Sequence, residues 1–152
     1  MNKHKEFTVA WVILGAIALA GVVVGYVYFV KNDFDQTEKT GFIIYAVLSV
    51  LVVLNFYGLT VEISGDTIKA YFGFGLISKK IKFEKIESVT AVTNPWYYGW
   101  GVRIIPNGMM FNVTGTKAIE ISYKNSSRVF RIGTKNPEAL IEIITSRLNQ
   151  AN

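Results

Sequence analysis

The sequence predicts a two-helix transmembrane hairpin followed by an all-β domain of about seven strands, closed by a C-terminal α-helix. Three observations lead there. Residues 7–30 and 41–59 contain no charged side chain. From residue 60 the chain breaks into short alternating segments separated by turn residues, the pattern of half-buried strands. The last stretch, from residue 137, returns to apolar residues at helical spacing.

The two apolar runs come first in the chain. At ~1.5 Å of rise per residue each is long enough to cross a hydrocarbon core of about 30 Å as a helix. Neither shows the polar face of a soluble amphipathic helix. Lys3 and Lys5 followed by Ala18-Leu19-Ala20 have the outline of a signal peptide, but the apolar character runs on to Val30, so an uncleaved anchor is expected. The connector, residues 31–40, is too short to be a domain, and the spans therefore form an antiparallel hairpin. Lysines flank the outer ends of both spans, at Lys3 and Lys5 and then from Lys69 onward. That bias places both termini in the cytoplasm, in a multi-pass protein of the cytoplasmic (inner) membrane. Trp11, Tyr26, Tyr28 and Tyr57 fall where interfacial aromatics belong. Gly21 and Gly25 form a GxxxG pattern, readable as a dimerisation face or as close packing against the second helix of the same chain. Asn55, the strongly polar side chain of the spans, reads as an interhelical hydrogen bond. With no ionisable group in either run, an ion pathway through the hairpin is not expected.

Residues 1–59 thus form the membrane unit and residues 60–152 the β domain. Thr60 to Ser64 alternates, Gly65-Asp66 turns, and Thr67 to Phe72 returns as a hairpin. Gly73 and Gly75 mark a loop. Ile77 to Phe83 and Ile86 to Val92 read as one long bulged strand or two short ones. Trp100 to Ile105, a Pro106-Asn107-Gly108 turn and Met109 to Val113 form the next pair, followed by Lys117 to Tyr123 and Arg128 to Ile132. Asn136 as N-cap, Pro137 at the first helical position and Glu138 in the first turn open the final helix. Leu140, Ile141, Ile144 and Leu148 share one face, which needs a sheet to cover it. This is the plan of a pleckstrin-homology (PH) superfold, a barrel or sandwich capped by its C-terminal helix.

Several motifs sit on that frame: Trp96-Tyr97-Tyr98-Gly99-Trp100-Gly101-Val102-Arg103, then Asn112-Val113-Thr114-Gly115 before Ala118-Ile119-Glu120-Ile121, then Arg131-Ile132-Gly133-Thr134-Lys135-Asn136-Pro137. With them, and with two spans ahead of one β domain, the chain resembles bacterial PH-domain membrane proteins over nearly its whole length. Much of that family lacks an assigned activity, so the resemblance implies a fold and leaves the function to the residues.

Charge and composition narrow the function classes. The net charge of +5 resides in residues 60–152, where eight Lys and four Arg face seven Asp or Glu. There is no cysteine, and the single histidine is His4, so a thiolate or histidine metal site and a histidine base are excluded from the β domain. Its carboxylates are scattered, and no nucleophile–base pair can be assembled from them. The expectation is a non-enzymatic module that needs no cofactor and does not bind nucleic acid. Two surfaces are candidates. Trp96 and Tyr97 follow Pro95 in a loop, where exposed aromatics would bind a protein partner or a second copy of the chain. Trp100 and Tyr98 are expected to fill the end of the barrel, and Arg103 to find a buried ion-pair partner. Lys79, Lys80, Lys82 and Lys85 form the densest basic cluster. It reads as a solvated edge strand protected by lysines, or as a contact for anionic membrane lipids worth about 1 kcal/mol per lysine at the bilayer surface.

Overall fold

The computed structural model describes residues 3–30 and 35–151. Its elements are β1 (His4–Val9), α1 (Trp11–Val30), α2 (Gln36–Phe56), β2 (Gly58–Ser64), β3 (Thr67–Phe72), β4 (Ser78–Lys82), β5 (Ile86–Thr93), β6 (Gly101–Ile105), β7 (Gly108–Asn112), β8 (Lys117–Tyr123), β9 (Val129–Gly133) and α3 (Pro137–Ala151). The nine described strands form two separate sheets rather than a closed barrel, ordered β1-β2-β3-β4 and β5-β8-β9-β7-β6.

The largest departure from the sequence reading is β1. Residues 7–9, read above as the start of the first span, lie instead in a strand that pairs antiparallel with β2, from His4 opposite Ile63 to Val9 opposite Gly58. The first helix therefore starts at Trp11. Hydrogen bonding continues one step past the ladder, with Ala10 N–H donating to the Tyr57 carbonyl at 3.0 Å. The β unit thus draws on residues on both sides of the two helices, and the division at residue 59 does not follow the sheet. In effect β1 and β2 are a β-hairpin whose connection is α1 and α2. Gly58 suits the junction, because a Cβ there would press on the Thr8 carbonyl as well as on the Phe7 ring.

α2 starts earlier than the charge-free run. Asp35 caps it, its carboxylate accepting from Glu38 N–H at 2.8 Å while Glu38 accepts from Asp35 N–H at 3.1 Å. This reciprocal box satisfies two orphan donors and draws the polar residues 36–40 of the connector into the helix. Connector residues 31–34 lie outside the described residues. Both helices are long and apolar enough to cross a membrane, and neither buries a residue in the protein. They touch at Tyr28 and Phe42, edge to face at 4.9 Å, and at Tyr45, whose hydroxyl donates to the Ile17 carbonyl at 3.4 Å. Gly21 faces Tyr45, while Gly25 lines a groove between the helices with Phe42 and Ala46. Asn55 makes no bond across the pair. Its amide donates to the Leu51 carbonyl of its own helix at 2.8 Å.

One core joins both sheets and α3. Ile63, Ile68, Ala70 and Phe72 from the first sheet meet Phe111, Ile119, Ile121, Phe130 and Ile132 from the second, with Leu140 and Ile144 of α3 closing it. The stretch from Ile77 to Val92 resolves into two strands in different sheets. A single 3-10 turn, Phe83–Lys85, carries the chain from one to the other, with Phe83, its first residue, and Ile86, just after it, both buried. β9 slots between β8 and β7, antiparallel to the first and parallel to the second. Gly108 permits this parallel contact, since a Cβ there would overlap the Val129 carbonyl.

Candidate functional site

The aromatic loop stands on the β6 edge of the second sheet. Pro95 turns the chain out of β5, and Trp96–Tyr98 form one turn of 3-10 helix closed by Gly99 N–H donating to the Trp96 carbonyl at 3.2 Å. Gly99 and Gly101 have φ of 67° and 90°, a region that disfavours side chains. Trp96 is 82% exposed and Tyr97 67%. The rings stack edge to face in series, Trp96 on Tyr97 at 6.1 Å and Tyr97 on Tyr98 at 5.3 Å. Tyr98 is half-buried, as a loop foundation should be, but Trp100 is exposed rather than plugging the sheet end. Ile104 on β6 is 90% exposed and extends the apolar surface.

What holds this loop is a residue to which the sequence motifs assign no role of its own. Asn112, fully buried at the end of β7, donates from its amide to the carbonyls of Gly99 at 2.8 Å and Gly115 at 2.7 Å. Its Oδ1 accepts from Thr114 N–H at 3.1 Å. One side chain thus fastens the base of the aromatic loop to the β7–β8 turn. A second network braces the neighbouring end of β5. Arg131 Nε donates to Glu120 Oε2 at 2.7 Å across β8 and β9, and Arg131 Nη1 to Asn94 Oδ1 at 2.9 Å. The ion pair expected of Arg103 is therefore made by Arg131. Arg103 is exposed, lies beside Gly99 and joins no ion pair among the described residues.

The lysine cluster is spread out rather than gathered. β4 is the free edge of the first sheet, and Lys79, Lys80 and Lys82 are exposed on it while Ile81 turns into the core. Lys82 pairs with Glu84 at 3.4 Å, and Lys85 is exposed on the 3-10 turn. Register fixes their heights relative to the helices. Gly58 marks the helix end of the sheet, Ser78 sits level with Thr60 through Tyr71, and Lys82 level with Ser64 through Thr67. At ~3.3 Å per residue Ser78 stands about 7 Å from the helix junction and Lys82 about 20 Å. By the same register Lys79 stands about 10 Å and Lys80 about 13 Å from the junction, so the β4 lysines run from mid-height to the far end of the sheet.

Lys79 also takes part in an arrangement not visible in the sequence. An open cleft of about 450 Å³ runs between the β4 edge and the turns joining β6–β7 and β8–β9. Lys79, Arg128, Asn107, Ser127 and Tyr123 line it, and no carboxylate does. The Tyr123 hydroxyl is buried without a hydrogen-bond partner, and burial raises its pKa above the ordinary 10.0. Two cations from segments 49 residues apart, Lys79 and Arg128, give the cleft a positive wall. Comparison with protein-family models and with curated proteins finds no match to this chain.

Proposed function

We propose that the chain is a non-enzymatic, membrane-tethered interaction module of PH-like architecture. It sits at the cytoplasmic face of a bacterial inner membrane and binds a protein partner or a second copy of itself. The membrane reading is supported by two apolar helices with no residue buried in the protein. In water they would expose an apolar surface far larger than soluble proteins carry. Because β1 and β2 pair, the sheet-proximal ends of both helices lie on one side of any bilayer they cross, and Lys3, Lys5 and the basic β domain favour the cytoplasmic side. Two sheets closed by a C-terminal helix support the PH-like reading, with the parallel β7–β9 contact as its departure.

The observation that carries the partner reading is the exposure of Trp96 and Tyr97 on a loop that Asn112 pins. Large aromatics held rigidly in solvent lose little entropy on docking and bury much area. Tethering adds effective concentration, so a modest site suffices. The test is co-purification from native membranes in mild detergent, comparing the natural chain with the Trp96→Ala/Tyr97→Ala double variant. Loss of the co-purifying protein, or of the homo-oligomer, with unchanged thermal unfolding is the expected result. Equal capture by both chains would remove this surface from consideration. A second reading, contact with anionic headgroups, is favoured for Lys79 and Lys80 over Lys82, because they stand about 10 and 13 Å from the helix junction against about 20 Å.

A further inference from the structure

We infer that the β3–β4 loop, residues 73–77, is an interfacial membrane anchor that seats the β domain on the lipid surface. Phe74 and Leu76 enter the headgroup–acyl boundary, and Lys79 and Lys80 meet anionic headgroups beside them. The inference rests on the membrane reading of α1 and α2 and gives the lipid contact its residues.

Four observations carry it. Phe74 is 72% exposed and Leu76 80%, although both belong to a tight, hydrogen-bonded loop. Phe72 N–H donates to the Ile77 carbonyl at 2.9 Å and Gly75 N–H to the Phe72 carbonyl at 2.7 Å. Second, this loop lies against the last turn of α2. The Tyr57 hydroxyl donates to the Gly73 carbonyl at 3.3 Å, and the Tyr57 ring meets Phe74 at 5.8 Å. A Cβ on Gly73 would strike the carbonyls of Leu54 and Asn55. Phe74 is thus continuous with the apolar end of α2. Third, α1 is charge-free over its 20 residues, ~30 Å at 1.5 Å per residue and so about the thickness of the hydrocarbon core, and it begins beside Ala10, whose N–H donates to the Tyr57 carbonyl. The boundary of the bilayer then falls at the level of Tyr57 and Phe74. Fourth, the cations nearest that level are unopposed. Lys79 and Lys80 have no carboxylate partner among the described residues and stand about 10 and 13 Å from the helix junction, whereas Lys82 pairs with Glu84 and stands about 20 Å away.

The natural chain contains no cysteine, so a single introduced thiol reports one position. The full-length variants Phe74→Cys and Leu76→Cys, labelled with an environment-sensitive fluorophore, are placed in vesicles of mixed zwitterionic and anionic phospholipid. Emission is measured against iodide in water and against a nitroxide near the headgroup end of the acyl chain. The expected result is loss of emission with the lipid-borne nitroxide and protection from iodide at both positions. That protection should weaken in Lys79→Glu/Lys80→Glu and persist in Lys82→Glu. Free quenching by iodide, or protection from iodide without nitroxide quenching (the mark of a protein contact), overturns the anchor. Val47→Cys, midway along α2, separates the two premises. If Val47 is quenched by a second nitroxide at the methyl end of the acyl chain and Phe74 is not quenched by the shallow one, only the anchor fails; if Val47 is quenched by iodide, the membrane reading fails and the anchor with it.

Discussion

Tyr123 shows how one atom can be both a cost and a handle. Its hydroxyl is cut off from water at the end of β8 and has no partner in the protein, an arrangement that costs about 1–3 kcal/mol relative to a satisfied group. Tyr123→Phe removes the unpaired hydroxyl and keeps the ring, so thermal unfolding of the variant should occur at equal or higher temperature than that of the natural chain. The pH dependence adds a sign. Burial raises the folded pKa above 10.0, so as pH climbs past 10 the unfolded chain loses this proton first and stability falls. The alkaline loss should be smaller in Tyr123→Phe, measured as unfolding temperature between pH 8 and 11. A marked drop at neutral pH would mean that the hydroxyl has a bonding role in the folded chain. Asn112 is the opposite case. Each of its amide and carbonyl groups is engaged, and its value lies in placing Gly99 under an exposed aromatic loop.

Elements differed in legibility for physical reasons. α1, α2 and α3 were visible because each carries a continuous signal, absence of charge in the first two and a 3.6-residue apolar stripe in the third. β3 and β8 were read at their observed bounds, since their alternation is local and bracketed by turns. β1 was not, because Phe7, Thr8 and Val9 prolong the apolar run of α1 and their partners, Thr60, Leu59 and Gly58, lie some fifty residues on. The parallel β7–β9 contact and the placing of Lys79 and Arg128 around one cleft have the same origin: pairing between distant segments leaves no periodic trace. At the aromatic loop, exposure of Trp96 and Tyr97 followed from Pro95 and the glycines, while its fastening by Asn112 did not. The strand that was missed makes a prediction of its own. Without β1, the fragment 60–152 leaves β2 with an unpaired edge and uncovers Val61 and Ile63, so it should express as an aggregating, poorly folded species. A cooperative unfolding transition from soluble 60–152 would show β1 to be dispensable.

For the whole molecule the consequence is mechanical as well as topological. α1 leaves β1 at Ala10, α2 enters β2 through Tyr57, and a backbone hydrogen bond of 3.0 Å joins those two residues. Phe56 stacks on Phe72 at 5.3 Å, and Phe72 on Phe111 at 5.0 Å, so packing runs unbroken from the end of α2 into the second sheet. β7, which carries Phe111, is hydrogen-bonded along its length to β6, the strand that follows the aromatic loop. A β domain hung on a flexible linker would lack the Ala10–Tyr57 hydrogen bond and the Phe56–Phe72 contact. If the helices are an insertion in a β-hairpin, the insertion can be removed without cutting the fold. Replacing residues 10–57 with Asn-Gly joins Val9 to Gly58 at the register they already hold, and Asn-Gly is the two-residue connection that antiparallel strands favour. The expected product is soluble without detergent, has the strand content of the two sheets and one helix by circular dichroism, and unfolds cooperatively. Its Phe72 loses the cover of Phe56, a large aromatic-to-nothing change at the rim of the core, so stability about 1–3 kcal/mol below that of an otherwise intact domain is expected. Insolubility or non-cooperative unfolding would mean that the helices are part of the folding unit and not a passenger within it; cooperative unfolding would leave a soluble domain on which partner capture by Trp96 and Tyr97 can be measured apart from the membrane.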